Sequence, residues 1–385
     1  MSDAEFTIRS AEGVAALPAQ QWDALTDGTN PFVSHTFLSI LEESGSVGGA
    51  SGWAPLPIIA EAADGTLAGA LPAYLKEHSQ GEYVFDHAWS DALHRAGGNY
   101  YPKLQIAVPF TPATGPRLLT HNAALQVPLL RAAEQLCTAN GFSSAHATFI
   151  QPDQVDAFER AGWLTRNDIQ FHWERRDYTS FDDFLAQLSS RKRKEIRKER
   201  ARAQDGVEIR ALTGGDIKPQ HWDAFWHFYQ DTGFRKWGTP YLTRDAFSLM
   251  GERLADKIVL ILADIDGEPA AGALNFIGGS TLFGRYWGCK IDKPFLHFEL
   301  CYYQAIDIAI ALGLQRVEAG AQGGHKLARG YEPVKTSSAH FIAHDGFRDA
   351  VGDFLERERA GIAQDQLWLG ERTPFKNKDE AKARD

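Results

Sequence analysis

The feature that most constrains the fold is a hairpin motif that occurs twice. DGTLAGAL at residues 64–71 returns as DGEPAAGAL at residues 266–274. An Asp-Gly pair between two apolar runs predicts a β-hairpin with a tight turn. Each motif is followed by an aromatic strand, a helix that ends at a glycine, and another strand. We therefore predict two copies of one mixed α/β unit, with chance recurrence of a common turn as the alternative.

The chain length agrees with this duplication. A protein of 385 residues is long enough for two domains of ordinary size. We predict a first domain at 1–175, a second at 176–375 that begins with a basic helical segment at 180–204, and a polar tail at 376–385. Between the first hairpin and the next strand, residues 76–94 are predicted as a loop and a strand.

Composition excludes several classes of protein. The formal net charge of −10 argues against a general nucleic-acid coat and against binding to an anionic membrane. The three cysteines (Cys137, Cys289 and Cys301) are far apart and form no CxxC pair, so neither a disulfide framework nor a metal site is expected. The first residues carry acids without a long apolar run, and no stretch predicts a membrane span, so we expect a cytoplasmic protein.

The richest group of polar residues follows a predicted strand at 316–320. Four glycines in the loop allow close backbone approach and positive φ: Gly320, Gly323, Gly324 and Gly330. His325 is a candidate base or proton relay, because its ordinary pKa lies near neutrality. Lys326 is a second candidate catalytic residue, and it could bind an anion, as could Arg329, while Gln322 could bind substrate. The alternative is a solvated turn with flexible charges.

Two further candidates lie at the start of the preceding helix. Glu299 would be kept ionised there by the helix dipole and could act as a general base, with His297 beside the substrate. The alternative is a capping carboxylate and a packed histidine. A metal held by these two residues and His325 is disfavoured, because no spacing signature supports it.

Candidate pocket residues also occur around both hairpins. In the first half they are Tyr100, Tyr101, Lys103 and Gln105, together with His35, Asp86 and His87. In the second half, Arg285 and Trp287 occupy a comparable place. Taken singly, each is more often a core residue, so their value as a substrate-binding set depends on whether they face one cleft.

The basic helical segment contains eight Lys or Arg residues within positions 191–202. Its candidate contacts to phosphate or RNA are Arg191, Lys192, Arg193, Lys194 and Arg197. A solvated helix with Glu–Lys and Glu–Arg pairs three or four residues apart is an equal alternative.

Long phrases of the sequence resemble a bacterial FemAB-like family of tandem GNAT-fold proteins. They include SSRKRKEIRKER, GALNFIGGSTLFGRYWGC and VEAGAQGGHKLARGYEPV, and the resemblance covers about residues 5–375. It implies an α/β (α+β) fold of two tandem GNAT-like domains, each a mixed, largely antiparallel sheet flanked by helices. It also implies N-acyl transfer, with acyl-CoA or aminoacyl-tRNA as the co-substrate and no tightly bound cofactor. Residues 287–299 lack the glycine-rich pyrophosphate run of single-domain GNAT enzymes, which favours aminoacyl-tRNA.

The expected function is transfer of an acyl or aminoacyl group to an amine of a small-molecule, peptide-like or cell-wall precursor. Its partners would be that substrate and a tRNA donor. The alternative is a non-catalytic module of the same fold that recognises RNA or a phosphorylated metabolite. A hydrolase with a nucleophile elbow is not expected, because the sequence has no G-x-S-x-G run.

Overall fold

A computed structural model describes residues 6–236, 240–320 and 323–376. The strands are β1 (Phe6–Ser10), β2 (Trp53–Pro55), β3 (Ile58–Ala62), β4 (Leu67–Leu71), β5 (Ala73–Lys76), β6 (Lys103–Ile106), β7 (Ser144–Ala147), β8 (Leu164–Glu174), β9 (Glu208–Thr213), β10 (Ile258–Ile265), β11 (Glu268–Gly278), β12 (Thr281–Cys289), β13 (Arg316–Glu318) and β14 (Glu332–Ile342). The α-helices are α1 (Ala19–Asp23), α2 (His35–Glu43), α3 (His87–Arg95), α4 (Ala123–Asn140), α5 (Val155–Arg160), α6 (Phe181–Gln187), α7 (Ser190–Gln204), α8 (Pro219–Lys236), α9 (Arg244–Arg253), α10 (Leu296–Phe298), α11 (Gln304–Ala311) and α12 (Asp345–Gly370). A π-helical turn, Glu299–Tyr303, joins α10 to α11, and a 3-10 turn, Gly324–Arg329, follows β13.

The chain forms two compact units that are not simple halves. Unit 1 consists of residues 1–168, 241–249 and 335–363, and unit 2 of residues 169–240, 250–334 and 364–385. Unit 1 thus includes two segments that the sequence analysis placed in the second domain. The domain ranges 1–175 and 176–375 remain a prediction about the two copies.

Unit 1 contains two sheets. The smaller has the order β1-β3-β4, and the larger has the order β2-β5-β6-β7-β14. Within the larger sheet β6 and β7 are parallel, and the helix α4 connects them. The hairpin turn between β3 and β4 contains Gly65 at φ 82°, and α4 ends at Gly141 at φ 67°, as the turn and cap chemistry predicts. Buried side chains of α4, including Leu129 and Leu130, pack in the core with strand residues of both sheets.

Unit 2 has the same succession of hairpin, helix and strand, built around one sheet. Its strands follow the order β8-β13-β12-β11-β10-β9, and only β12 and β13 among these neighbours are parallel. Asp266 and Gly267 both have positive φ, at 54° and 80°, which fits the tight hairpin turn predicted from the sequence. Buried residues of α11, such as Ile306, cover one face of the sheet. Each unit therefore contains a hairpin, a helix and a parallel strand pair in the same order along the chain.

One predicted element is wrong. Residues 87–95 form the helix α3 rather than a strand. Trp89 and Leu93, four residues apart, pack against Val351 and Leu355 of α12, so these apolar residues follow a helical rather than a strand period.

The structure also bears on membrane insertion. Within the described residues, every helix is too short or too polar to cross a bilayer.

Candidate functional site

A gap opens in the unit 2 sheet where its two parallel strands part. β12 and β13 pair from Thr281 to Phe283, opposite Arg316 to Glu318. Beyond this point β12 continues to Cys289, whereas β13 has ended. A cavity of about 130 Å³ lies here, lined among others by Ala319 and by residues of β12 and the following helix. The cavity lies at the strand end that the sequence analysis selected, and its role in binding remains a prediction.

A β-bulge shapes this cavity. Leu274 of β11 pairs with Tyr286, but the next residue, Asn275, pairs with Gly284, so Arg285 is the extra residue of β12. A bulge changes the direction of the side chain it carries. Arg285 and Trp287 both line the cavity, whereas their substrate-binding role remains a prediction. Gly284 lies beside the end of β13, where a Cβ added to it would be 3.4 Å from the carbonyl oxygen of Glu318, an ordinary van der Waals contact.

The π-helical turn supplies the other wall. Cys301 and Tyr302 of this turn line the cavity together with His297, which contacts the ring of Trp287. A π-turn inserts one residue into a helix and therefore shifts the side chains that follow it. His297 is confirmed as a lining residue in this structure, whereas its substrate-binding role remains a prediction.

Glu299 does not reach the cavity. Its buried carboxylate accepts hydrogen bonds from Arg200, at 3.2 and 3.0 Å, from Gln204 at 2.9 Å and from Gln304 at 2.8 Å. Since Arg200 and Gln204 belong to α7 and Gln304 to α11, the carboxylate fastens the π-turn to both helices. The geometry argues against the predicted role of Glu299 as general base.

The loop after β13 brings His325 and Lys326 to the same region. The Nε2 atom of His325 lies 2.9 Å from the hydroxyl oxygen of Tyr302. Lys326 is 1% exposed, and its ammonium donates to the carbonyl of Gly320 at 2.9 Å. Burial lowers the pKa of Lys326 to about 8, with Cys301 opposing the shift and Arg285 adding to it. A lysine of this kind can exchange a proton near neutral pH.

The other residues predicted in this loop occupy different environments. Arg329 is buried and donates to the carboxylate of Glu199, which makes it a structural partner rather than an open anion site. Gly323 has φ 124°, and Gly324 begins the 3-10 turn that carries His325. Gln322 lies outside the described residues.

Sequence reasoning did not select Glu318 as a site residue. Its side chain is 6% exposed and lies beside His172 of β8, with 3.8 Å between Oε1 and Nδ1. Burial raises the pKa of Glu318 to about 7, although the charges of Arg316 and Arg285 oppose the shift. The available signal was a carboxylate at the last position of a strand, directly before a glycine-rich loop.

The predicted residues of the first half form a buried polar cluster. Lys103 donates to Asp86 at 2.5 Å and to Glu82 at 2.8 Å, and the hydroxyl of Tyr100 donates to Asp86 at 2.6 Å. The remaining predicted residues make local contacts: Tyr101 with Ser79, Gln105 with Thr148, His87 with Phe85 and His35 with the carbonyl of Leu17. His35 and Gln105 therefore do not share partners with the Lys103 cluster, and a common binding set is not supported.

In unit 1, the position equivalent to the unit 2 cavity is occupied by the unit's own residues. Next to the continuation of β7, Gly115 pairs with Ile150 in a parallel bridge. Arg117 is fully buried and donates to the carbonyl of Thr148 at 2.7 Å and that of Ala113 at 2.9 Å. The segment 113–117 thereby covers the edge beyond the end of β7. In unit 2 the equivalent edge, beyond the end of β13, borders the cavity.

Among the five candidate cations of the basic helix α7, some have side-chain partners nearby and others are exposed to solvent. Several outer ones are paired locally: Lys192 with Glu195, Arg193 with Ser190 and Arg197 with Asp182. Arg191 and Lys194 are exposed. The structure leaves the phosphate or RNA role of these five residues a prediction.

Comparison with known proteins agrees with this fold. Residues 13–377 match the sequence model of the FemAB-like family, described as peptidoglycan biosynthesis/recognition. No curated protein sequence matches the chain.

Three solved structures illustrate the likeness. A crystal structure of FemX is 11% identical, with a TM-score of 0.55, and the match covers 90% of this chain and 100% of FemX. A conserved protein of unknown function from Bacteroides thetaiotaomicron is 12% identical, with a TM-score of 0.50 and coverage of 86% and 99%. A tandem GNAT protein from the clavulanic acid biosynthesis pathway is 12% identical, with a TM-score of 0.46 and coverage of 88% and 99%.

At these identities the solved structures speak to the fold alone. The predicted α/β fold is confirmed: mixed, largely antiparallel sheets are flanked by helices in two units, and the likeness to FemX covers 90% of the chain. The match of the family model, which extends over most of the sequence, goes further. The chain belongs to the FemAB-like family, described as peptidoglycan biosynthesis/recognition.

Proposed function

We propose that this protein is an N-acyltransferase that joins an acyl or aminoacyl group to an amine of a peptide-like or cell-wall precursor. The observation that carries the proposal is the cavity at the gap between β12 and β13. The buried Lys326 interacts electrostatically with Cys301 and Arg285, which line this cavity. The description of the family supports a substrate related to peptidoglycan.

Acyl transfer needs a carbonyl held beside an amine and groups that move protons between them. The gap leaves backbone groups of β12 without a β13 partner, and these can form hydrogen bonds with amide groups of an extended substrate. Lys326 has a pKa of about 8, so it is mostly protonated at pH 7 and can donate a proton to the leaving group. In this proposal His325 and Tyr302 orient the carbonyl, since they lie hydrogen-bonded at the same wall.

The donor is either an aminoacyl-tRNA or an acyl-CoA, and both present an activated carbonyl. The same protein should be offered both classes with a peptide-like amine acceptor, and the amide product measured by mass spectrometry. We expect turnover with one class. Failure of both, across a broad panel of acyl groups and amines, would overturn the proposal.

A pair of lysine variants tests the site. Replacing Lys326 by Met should lower kcat by about 100-fold or more, the scale of a lost proton-transfer group. The matched control is Lys290→Met, because Lys290 is an exposed lysine on the same unit. Equal rates for both variants and the wild type would remove Lys326 from the reaction.

The second candidate is a binding module for RNA or a phosphorylated metabolite. It is favoured by the exposed cations Arg191, Lys194 and Lys198 on α7. RNA affinity that falls steeply with salt, together with absence of any transfer product, would support it over the enzyme.

A further inference from the structure

The strand alternation of unit 2 divides the gap into two sides. Leu282, Val317 and Trp173 lie in one row of paired residues, and all three belong to the core beneath α11. Phe283, Glu318 and His172 form the next row, so their side chains point to the opposite face. The cavity residues Ala319, Cys301 and Tyr302 are on the α11 face. Glu318 is therefore the last side chain of β13 on the far side of the gap.

The surroundings of Glu318 do not satisfy it. Its Oε1 atom is 3.8 Å from Nδ1 of His172 and 4.0 Å from Nη1 of Arg316, which are both longer than a hydrogen bond. Among residues 6–236, 240–320 and 323–376, neither Oε2 of Glu318 nor Nδ1 of His172 has a hydrogen-bond partner. Buried polar atoms are rarely left in this state unless they have a further role.

We propose that Glu318 is the general base that accepts the proton of the attacking amine, and that His172 is its positioning residue. This inference rests on the proposed acyl transfer. It also assigns the two substrates to opposite faces of the sheet: the acyl donor enters by the α11 face, and the amine reaches the gap from the face of Glu318 and His172.

The step balances with the residues present. The amine nitrogen forms a bond to the carbonyl carbon, whose π-electron pair moves to oxygen, and the Glu318 carboxylate takes one N–H proton. The pair returns as the bond from carbon to the ester oxygen or thioester sulfur breaks. Lys326 gives its proton to that leaving atom. The products are an amide and an alcohol or thiol, and solvent restores both side chains.

His172 has the character that a positioning partner needs. Burial and the nearby cations Arg316 and Lys326 lower the pKa of His172 to about 3, so the ring is neutral. Its Nε2–H donates to Oε1 of Gln170 at 3.2 Å, which leaves a lone pair on Nδ1, the ring atom 3.8 Å from Oε1 of Glu318. A lone pair there favours the protonated carboxyl group over the carboxylate. The other charged groups that act on Glu318 are Arg316, Arg285 and Glu174.

The first test is the pH profile of transfer. In the wild type, kcat/KM should rise with pH as Glu318 loses its proton, with an apparent pKa of about 7. Glu318→Gln should lose about 100-fold or more in kcat and should lose this rise. Glu318→Ala should regain part of its rate when formate is added as a small diffusible base. The control is Glu268→Gln, an exposed position in the same unit. A variant Glu318→Gln with wild-type kcat would overturn the inference.

The positioning role has a separate readout. In His172→Asn, an amide N–H can replace the lone pair and donate to the carboxylate, so the rise in kcat/KM should move to lower pH while KM for the donor is kept. A merely structural role would lower the yield of folded protein without moving that rise, and this result would contradict the role of His172.

A measurement without turnover separates this inference from the proposed function. The Glu318 carboxyl can be followed by carbon NMR against pH in the intact protein, with Glu318→Gln used to assign the signal. Titration near pH 7 supports the base, and titration at an ordinary carboxyl pKa overturns it. Absence of transfer with every donor would instead defeat the proposed function.

Discussion

Glu199 of α7 receives two hydrogen bonds from Arg329, both 2.9 Å long and both from Nη2. The Nη1 atom of the same guanidinium donates to the carbonyl of His325 at 2.8 Å, and its Cζ atom lies 3.5 Å from the centroid of the Phe298 ring. Tyr303 of the π-turn also donates to Glu199. One buried carboxylate on the basic helix thus fixes both the turn that carries Tyr302 and the loop that carries His325.

Glu199→Gln should loosen this arrangement. Loss of the charge leaves Arg329 buried beside a neutral amide, and we expect unfolding free energy to fall by about 2–4 kcal/mol. The rate of transfer should fall with it, because His325 is less well held. Chemical denaturation with parallel rate measurements tests both effects. Glu195→Gln is the control, since its ion pair with Lys192 is exposed and should contribute less than about 1 kcal/mol.

Lys326→Met should trade activity for stability. The folded pKa of Lys326 lies below its unfolded value, so burial of the ammonium costs stability at every pH below about 8, and this cost disappears as pH rises to the unfolded value. We expect the variant to gain about 2 kcal/mol at pH 7, after loss of the bond to Gly320. Urea denaturation at pH 7 and at pH 10 should show the gain only at the lower pH. A loss of stability at pH 7 would contradict the lowered pKa.

Glu318→Gln should show the opposite pH dependence. The folded pKa of Glu318 is raised to about 7, so the wild type loses stability as pH rises from the unfolded pKa through 7. The amide has no such cost, and its gain should reach about 3 kcal/mol above pH 8 and vanish below pH 4. Thermal or urea denaturation across this range measures it. A pH-independent difference between the two proteins would be inconsistent with the buried ionisation.

Gly288→Ala should destabilise unit 2. A Cβ at this position would lie 2.2 Å from the carbonyl oxygen of Phe228 in α8, so backbone must move. We expect a loss of about 3 kcal/mol or more. Gly361→Ala is a matched control in the interior of α12, where an added Cβ has open space. The helical propensity of alanine should make that variant more stable by up to about 1 kcal/mol.

Lys103→Met tests the buried cluster of unit 1. The substitution removes the ammonium from Asp86 and leaves Glu82 with only the longer ion pair to Lys76, at 3.8 Å, and we expect a loss of about 3–5 kcal/mol at pH 8. The loss should shrink as pH falls, since burial raises the pKa of Glu82 to about 7 and its protonation removes one negative charge. Denaturation at pH 5 and pH 8 measures this. Arg131→Met, at an exposed ion pair, is the control.

The sequence by itself determined the local elements and indicated the strand end at which the cavity lies. Asp-Gly turns require positive φ, terminal glycines cap helices, and apolar periods select the buried face, and all of these act over a few residues. They were sufficient to predict the duplicated unit and the strand after which the loop of His325 and Lys326 begins. The resemblance in long phrases then identified the family.

Only the tertiary structure decided which side chains share the gap. Glu299 has the spacing of a catalytic residue, but it turns to Arg200 because a π-turn changes the helical phase at that point. Glu318 meets His172 through strand pairing between segments far apart in sequence. Arg117 occupies the equivalent position in unit 1 because its loop, which is distant in sequence from β7, packs at the end of that strand. Such pairings depend on long-range register and burial, which no local pattern of residues encodes.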